Sequence, residues 1–128
     1  MIEILEIWNN VWPYLVAILL FLVLILIHEF GHFIAAKSLG VRVNEFAVGF
    51  GPKLFSKKWG ETKYALNLIP LGGYCAMEGE DEGSTDTRAF CNKKAWRRFL
   101  IVIMGAVFNL LLGVIIVAII LGCLWVSE

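Results

Sequence analysis

Charged residues are absent from Ile7 to Ile27, and Tyr14 to Ile27 is unbroken apolar sequence that resumes through Phe33, Ile34, Ala35 and Ala36 before Lys37. About 20 apolar residues suffice for a helix to cross the hydrocarbon core of a bilayer, so the pattern predicts a spanning helix over about residues 12–37. Phe99 to Val126 is a second uncharged stretch, with Asn109 its only amide and Gly105, Gly113 and Gly122 spaced along it. It predicts a second spanning helix over about 97–125, long enough to tilt. Between them, residues 38–96 change character. Tyr64 to Ile69 and Tyr74 to Met77 are short β-prone runs around Pro70-Leu71-Gly72-Gly73, which predicts a hairpin over about 64–77. The turn-rich Val48-Gly49-Phe50-Gly51-Pro52 followed by Leu54-Phe55 offers a further strand. Such strands are apolar for a water-facing loop. A small sheet dipping into the membrane, or into a cleft between helices, is the expectation, with an edge able to pair with an extended peptide.

Composition supports a membrane chain. Hydrophobic residues make up 59% of the 128 and charged residues 17%, against about 45–50% and about 25% in soluble domains; mean hydropathy is +0.78. A soluble globular domain is excluded, and two spans are too few for a channel or transporter made by one chain. Eleven Lys and Arg balance eleven Asp and Glu, but every basic residue falls between Lys37 and Arg98. Basic short loops favour the cytoplasmic side. The expected fold class is therefore membrane α-helical: two transmembrane helices joined by a cytoplasmic, membrane-associated loop, multi-pass in the cell (inner or plasma) membrane, with both termini outside. Glu3 and Glu6 stand where a secretory signal needs a basic start, so the first helix reads as retained. Trp8, Trp12, Tyr14 and Trp125 then mark the outer interface and Trp96 the inner one.

The loop's remaining features are plainer. Glu78 to Glu82 with Ser84 to Thr87 reads as a solvated acidic turn without calcium-loop spacing. Lys93-Lys94-Ala95-Trp96-Arg97-Arg98 reads as an anchor on anionic headgroups of the lipid bilayer, with no nucleic-acid partner expected. Cys75, Cys91 and Cys123 show no CxxC spacing, so disulfides and a cysteine-based zinc site are not expected.

One motif carries sharp chemistry: His28-Glu29-Phe30-Gly31-His32. Positions i and i+4 share a helix face, so both imidazoles can converge on one metal with the glutamate alongside. Zinc held by neutral imidazoles lowers the pKa of a bound water toward about 7, and the glutamate can take its proton during attack on a carbonyl. Chance pairing of two histidines with this spacing and a following Glu is roughly a one-in-a-thousand event. Polar groups inside an apolar span also cost about 2.5–3.5 kcal/mol per ionised centre, which a metal or a wet cleft would offset. Catalytic zinc usually takes three protein ligands. No third histidine exists, and Asp81, Asp86, Cys75 and Glu78 are the candidates within the loop, none with a placement cue; otherwise the third ligand comes from another segment or another chain.

HEFGH at the inner end of a first span resembles the site-2 protease family of intramembrane zinc metalloproteases. Phe50-Gly51-Pro52, Ile69-Pro70-Leu71-Gly72-Gly73-Tyr74 with Met77-Glu78-Gly79-Glu80-Asp81, and Lys94-Ala95-Trp96-Arg97-Arg98 extend the resemblance to the bacterial regulator-of-sigma-factor protease subgroup over roughly residues 18–113. The resemblance implies Zn2+ as cofactor with His28 and His32 as ligands and Glu29 as the catalytic base. It further implies a hairpin whose turn is Gly72-Gly73 and which holds substrate in extended form, making Tyr64, Leu66, Leu68, Gly72, Gly73 and Tyr74 substrate-facing. Gly105-Ala106-Val107-Phe108-Asn109 keeps the glycine and asparagine of a family Gly-Pro-x-x-Asn pattern but lacks its proline; Asn109 is implied to orient the substrate backbone. Implied partners are membrane-spanning proteins such as anti-sigma factors. Family members continue into a PDZ domain and further spans, one with an Asp in Leu-Asp-Gly that completes the zinc site. This sequence stops at Glu128, so residues 1–128 are expected to be the N-terminal half of the protease and inactive alone. The alternative is a non-catalytic membrane module that binds extended peptides or regulates a full-length protease.

Overall fold

A computed structural model describes residues 1–128 as α1 (Ile2–Ser38), β1 (Val43–Trp59), β2 (Thr62–Met77), a single 3-10 turn at Phe90–Asn92, and α2 (Ala95–Ser127). At 1.5 Å per residue α1 is about 55 Å long and α2 about 50 Å. Both exceed the expected bounds. α1 begins ten residues before position 12 because Pro13 lies inside it without ending it; proline forfeits one backbone bond, and the surrounding helix is kept. Side chains from Met1 to Phe21 lie exposed, as do Leu110, Val114, Val117 and Leu121 of α2. Apolar composition and exposure over such lengths suit lipid contact, since a helix satisfies its own backbone there.

The sheet differs from the expected hairpin. The chain reverses at Gly60-Glu61, where Gly60 has φ +65°, and Trp59, Lys58, Lys57 and Ser56 face Thr62, Lys63, Tyr64 and Ala65. β1 then takes partners on both sides: Phe46 lies opposite both Cys75 and Tyr64, and Ala47 opposite both Tyr74 and Ala65. Residues 43–48 therefore sit in the middle, between the two runs expected to pair with one another. Residues 73–77 form an outer edge. The bend in β1 is made by Gly49 and Gly51, both at φ +84°, a conformation open to glycine at little cost. Gly72 and Gly73 are not turn residues. They lie in β2 without positive φ and are needed for close approach, as a Cβ on Gly72 would strike the Phe50 ring and one on Gly73 would come within 2.9 Å of the Ala47 carbonyl oxygen.

The core lies where the sheet meets the helix crossing: Ala35, Ala36, Val41, Val43, Cys75, Met77 and Ile101 are buried together. Glu61 clasps three elements there, accepting from Lys37 Nζ at 2.9 Å and from both Arg88 guanidinium nitrogens at 2.6 and 2.7 Å. The Arg88 hydrogen bonds, then that from Lys37, hold the Glu61 carboxyl down at about 2.

Candidate metal centre

α1 sets His28 and His32 one turn apart and aims both rings at α2. Their Nε2 atoms are 3.1 Å apart. Two nitrogens bound tetrahedrally to zinc at about 2.0–2.1 Å would be about 3.3–3.4 Å apart, so the pair needs only a few tenths of an ångström to fit an ion. His32 Nδ1 lies 2.7 Å from the Ile101 carbonyl oxygen, to which it donates. This fixes the tautomer that leaves Nε2 its lone pair, the arrangement a ligating imidazole requires. His28 Nδ1 lies 3.4 Å from Asn109 Nδ2.

The second helix makes room for this pair. A Cβ on Gly105 would stand 2.6 Å from His32 Nε2 and 2.7 Å from His28 Nε2, in the space between imidazoles and helix. Gly31 permits the same proximity from the other side, since a Cβ there would meet the Met104 carbonyl oxygen at 2.5 Å. Ile101, Gly105 and Asn109 follow at i, i+4 and i+8 and so share one face of α2.

Glu29 projects beside the pair. It lines a cavity of about 510 Å³ together with His32, Gly73, Tyr74 and Cys75, and a smaller one of about 290 Å³ with His28 and Asn109. The edge strand passes close by, as a Cβ on Gly73 would sit 3.6 Å from Glu29 Cγ. Of the residues expected to face substrate, Gly73 and Tyr74 thus border the Glu29 cavity, and Asn109 adjoins His28. The Tyr74 hydroxyl donates to Glu45 Oε1 at 3.0 Å. Tyr64, Leu66 and Leu68 are not brought there. Tyr64 packs among Phe33, Phe46 and Trp59, with ring centroids 6.1 to 6.5 Å away; Leu66 and Leu68 lie on an exposed apolar rim with Leu54, Phe55 and Leu71.

No group of three His, Cys, Asp or Glu side chains converges to hold a metal. Among the loop candidates, burial pushes the Cys75 thiol up to about 12, and Cys75 lines the Glu29 cavity without converging on the imidazoles. Asp86 accepts from the Arg88 amide at 2.8 Å and Glu78 from Asn44 at 2.9 Å. Asp81 borders the larger cavity without joining the imidazoles. The two imidazoles fit an ion at two of its positions. Sequence reasoning did not find the Ile101 carbonyl, because a backbone acceptor has no residue signature. Gly105 was legible only as one of three glycines along the second apolar stretch and as part of a family pattern, without its place against the imidazoles.

Comparison with known proteins bears on this arrangement. Residues 16–126 match peptidase family M50. Proteins named "Putative zinc metalloprotease" are similar: one from Clostridium acetobutylicum is 50% identical over 105 residues, covering 82% of this chain and 31% of that protein. One from Clostridium perfringens is 49% identical over 100 residues, 78% of this chain and 30% of that protein. One from Thermotoga maritima is 45% identical over 94 residues, 70% and 19%. The chain spans less than a third of the length of these curated relatives. Because the match runs from the first apolar helix through both imidazoles and the sheet to the end of the second helix, the chain belongs to peptidase family M50.

Proposed function

We propose that residues 1–128 supply two metal ligands, the general base and the substrate-docking strand of an intramembrane zinc metalloprotease. His28 and His32 are the ligands, and the third comes from a segment or chain outside these residues. A bound zinc ion would supply a Lewis acid for water and for the scissile carbonyl. Glu29 takes the proton of the attacking water and passes it to the leaving amide nitrogen. The outer edge at residues 73–77 runs beside Glu29, where an extended substrate can add as a further strand; main-chain hydrogen bonds would then hold it whatever its sequence. Helical membrane segments must unwind to be cut, so a strand-shaped dock suits membrane-anchored regulatory proteins, anti-sigma factors among them, as substrates. The exposed rim of Leu54, Phe55, Leu66, Leu68 and Leu71 suits immersion at the bilayer surface. With the basic loop cytoplasmic and both termini outside, cleavage falls near the cytoplasmic face.

The observation that carries this reading is the convergence of two Nε2 atoms at 3.1 Å beside a glutamate that opens on a cavity bordered by a free strand edge. The test is Glu29→Gln in the protein as it occurs in its membrane, with a membrane-anchored reporter. Zinc content should be retained and cleavage should fall by at least about 10²–10⁴-fold. Unchanged cleavage with zinc retained would remove Glu29 from the base role.

A further inference from the structure

The Asn109 amide touches only one of the two imidazoles. Its Nδ2 lies 3.4 Å from His28 Nδ1, while its Oδ1 is buried without a hydrogen-bond partner. With no cation present, one set of protons satisfies the whole row: Asn109 Nδ2–H donates to His28 Nδ1, His28 Nε2–H donates to His32 Nε2 across 3.1 Å, and His32 Nδ1–H donates to the Ile101 carbonyl across 2.7 Å. A cation between the rings changes the requirement at one end only. Both Nε2 atoms must then offer lone pairs, so the proton of neutral His28 moves to Nδ1, and the neighbour of Nδ1 must become an acceptor. The Ile101 carbonyl already suits His32 in both states.

Asparagine is a residue that can serve both states, because a half-turn of its amide exchanges donor for acceptor at the same place. We infer that Asn109 is a positioning residue for the metal centre, whose amide turns to accept the His28 Nδ1–H when the ion binds and so fixes the ligating tautomer. This rests on the reading of His28 and His32 as metal ligands, and it moves Asn109 from substrate contact to support of His28. It also gives the amide two ends with different work: Oδ1 holds the ring while Nδ2 turns to the buried position now taken by Oδ1.

Three side chains at 109 separate this role from packing. Aspartate can only accept, so Asn109→Asp should bind zinc at least as tightly as the parent. Leucine has nearly the same shape and can do neither, so Asn109→Leu should bind zinc about 10–100-fold more weakly, the usual cost of removing a ligand's outer hydrogen-bond partner. A packing role predicts the reverse order, since burying a carboxylate would harm the fold more than burying leucine. Zinc affinity of the full 128-residue chain in lipid nanodiscs, by competition with a chromophoric chelator, reads the order directly. Imidazole ¹⁵N shifts of the neutral, metal-free chain give a second readout: His28 should carry its proton on Nε2 in the parent and on Nδ1 in Asn109→Asp. Equal zinc affinities for all three, or a His28 tautomer indifferent to residue 109, would overturn the inference. His28→Ala serves as the control for the underlying reading: if it leaves zinc affinity unchanged, the metal-ligand assignment fails. If it abolishes binding while residue 109 has no effect, only the role of Asn109 fails.

Discussion

The helix crossing and the apolar rim of the sheet lie in the same short chain but are built on opposite principles. At the crossing, the close fit is set by atoms that are absent: Gly31 and Gly105 leave distances of 2.5–2.7 Å from a notional Cβ to the neighbouring helix carbonyl and to the imidazoles. At the rim, Leu54, Phe55, Leu66, Leu68 and Leu71 stand exposed, while the sheet beneath is held by backbone pairing and by aromatic contacts around Tyr64. A gap filled at the crossing has nowhere to go, because packed backbone and rings cannot yield. Substitutions at the rim meet solvent or lipid. The imidazole pair therefore sits at the rigid crossing, and the rim is the adaptable surface.

The largest effect should come from one methyl group. Gly105→Ala puts a carbon within 2.6 Å of His32 Nε2, and zinc affinity should fall by more than about 100-fold, beyond the usual cost of disturbing a ligand's surroundings. Gly113→Ala on the same helix, with nothing within 4 Å of its Cβ, should leave affinity unchanged. Equal effects of the two would erase the distinction between the crossing and the rest of α2. Next comes Ile101→Ala, which empties a fully buried position shared by helix and sheet. It should cost about 2–5 kcal/mol in reversible unfolding from bicelles. At the rim, Leu68→Ser should leave both zinc affinity and unfolding free energy within about 0.5 kcal/mol of the parent. A loss of zinc from Leu68→Ser would show that the rim and the crossing are mechanically coupled.

These regions were also unequally legible. The imidazole pair could be read because both histidines lie on one helix, where the spacing i to i+4 fixes their relation through local geometry alone. The sheet could not, because its register depends on residues 43–48 inserting between residues 62–66 and 73–77, a long-range choice that no local run of β-prone residues encodes. Pro70-Leu71-Gly72-Gly73 looked like a turn for a sound reason. Its glycines instead admit the Phe50 ring and the flank of α1 near Glu29. Tyr64 illustrates the same limit: the family resemblance implies that it faces substrate, but packing on Phe33 claims it for the core of the loop. The carbonyl of Ile101, which orients His32, was invisible in a string of side chains.

The smallest expected effect concerns the ionic clasp that ties the sheet's turn to α1 and to the loop before α2. Glu61 has its carboxyl at about 2 against an ordinary 4.5, so folding favours its charged form. That contribution is complete above about pH 4.5 and is lost progressively as pH falls toward 2. Partial exposure and salt screening keep it modest. Unfolding followed from pH 6 to pH 3 should show a slightly shallower acid dependence in Glu61→Gln than in the parent. Identical acid profiles would mean that the clasp does not help to hold the sheet against the helices.

Everything at the crossing depends on whether the two imidazoles of α1 hold zinc. X-ray absorption at the zinc edge of the purified, zinc-loaded chain in nanodiscs reads the ligands by element and distance. It should show nitrogen and oxygen neighbours at about 2.0–2.1 Å, with the outer-shell scattering of two imidazoles, and that imidazole signature should be lost in His28→Ala/His32→Ala. Sulfur at about 2.3 Å, or an imidazole signature that survives the double substitution, would contradict the account and place the metal elsewhere in the chain.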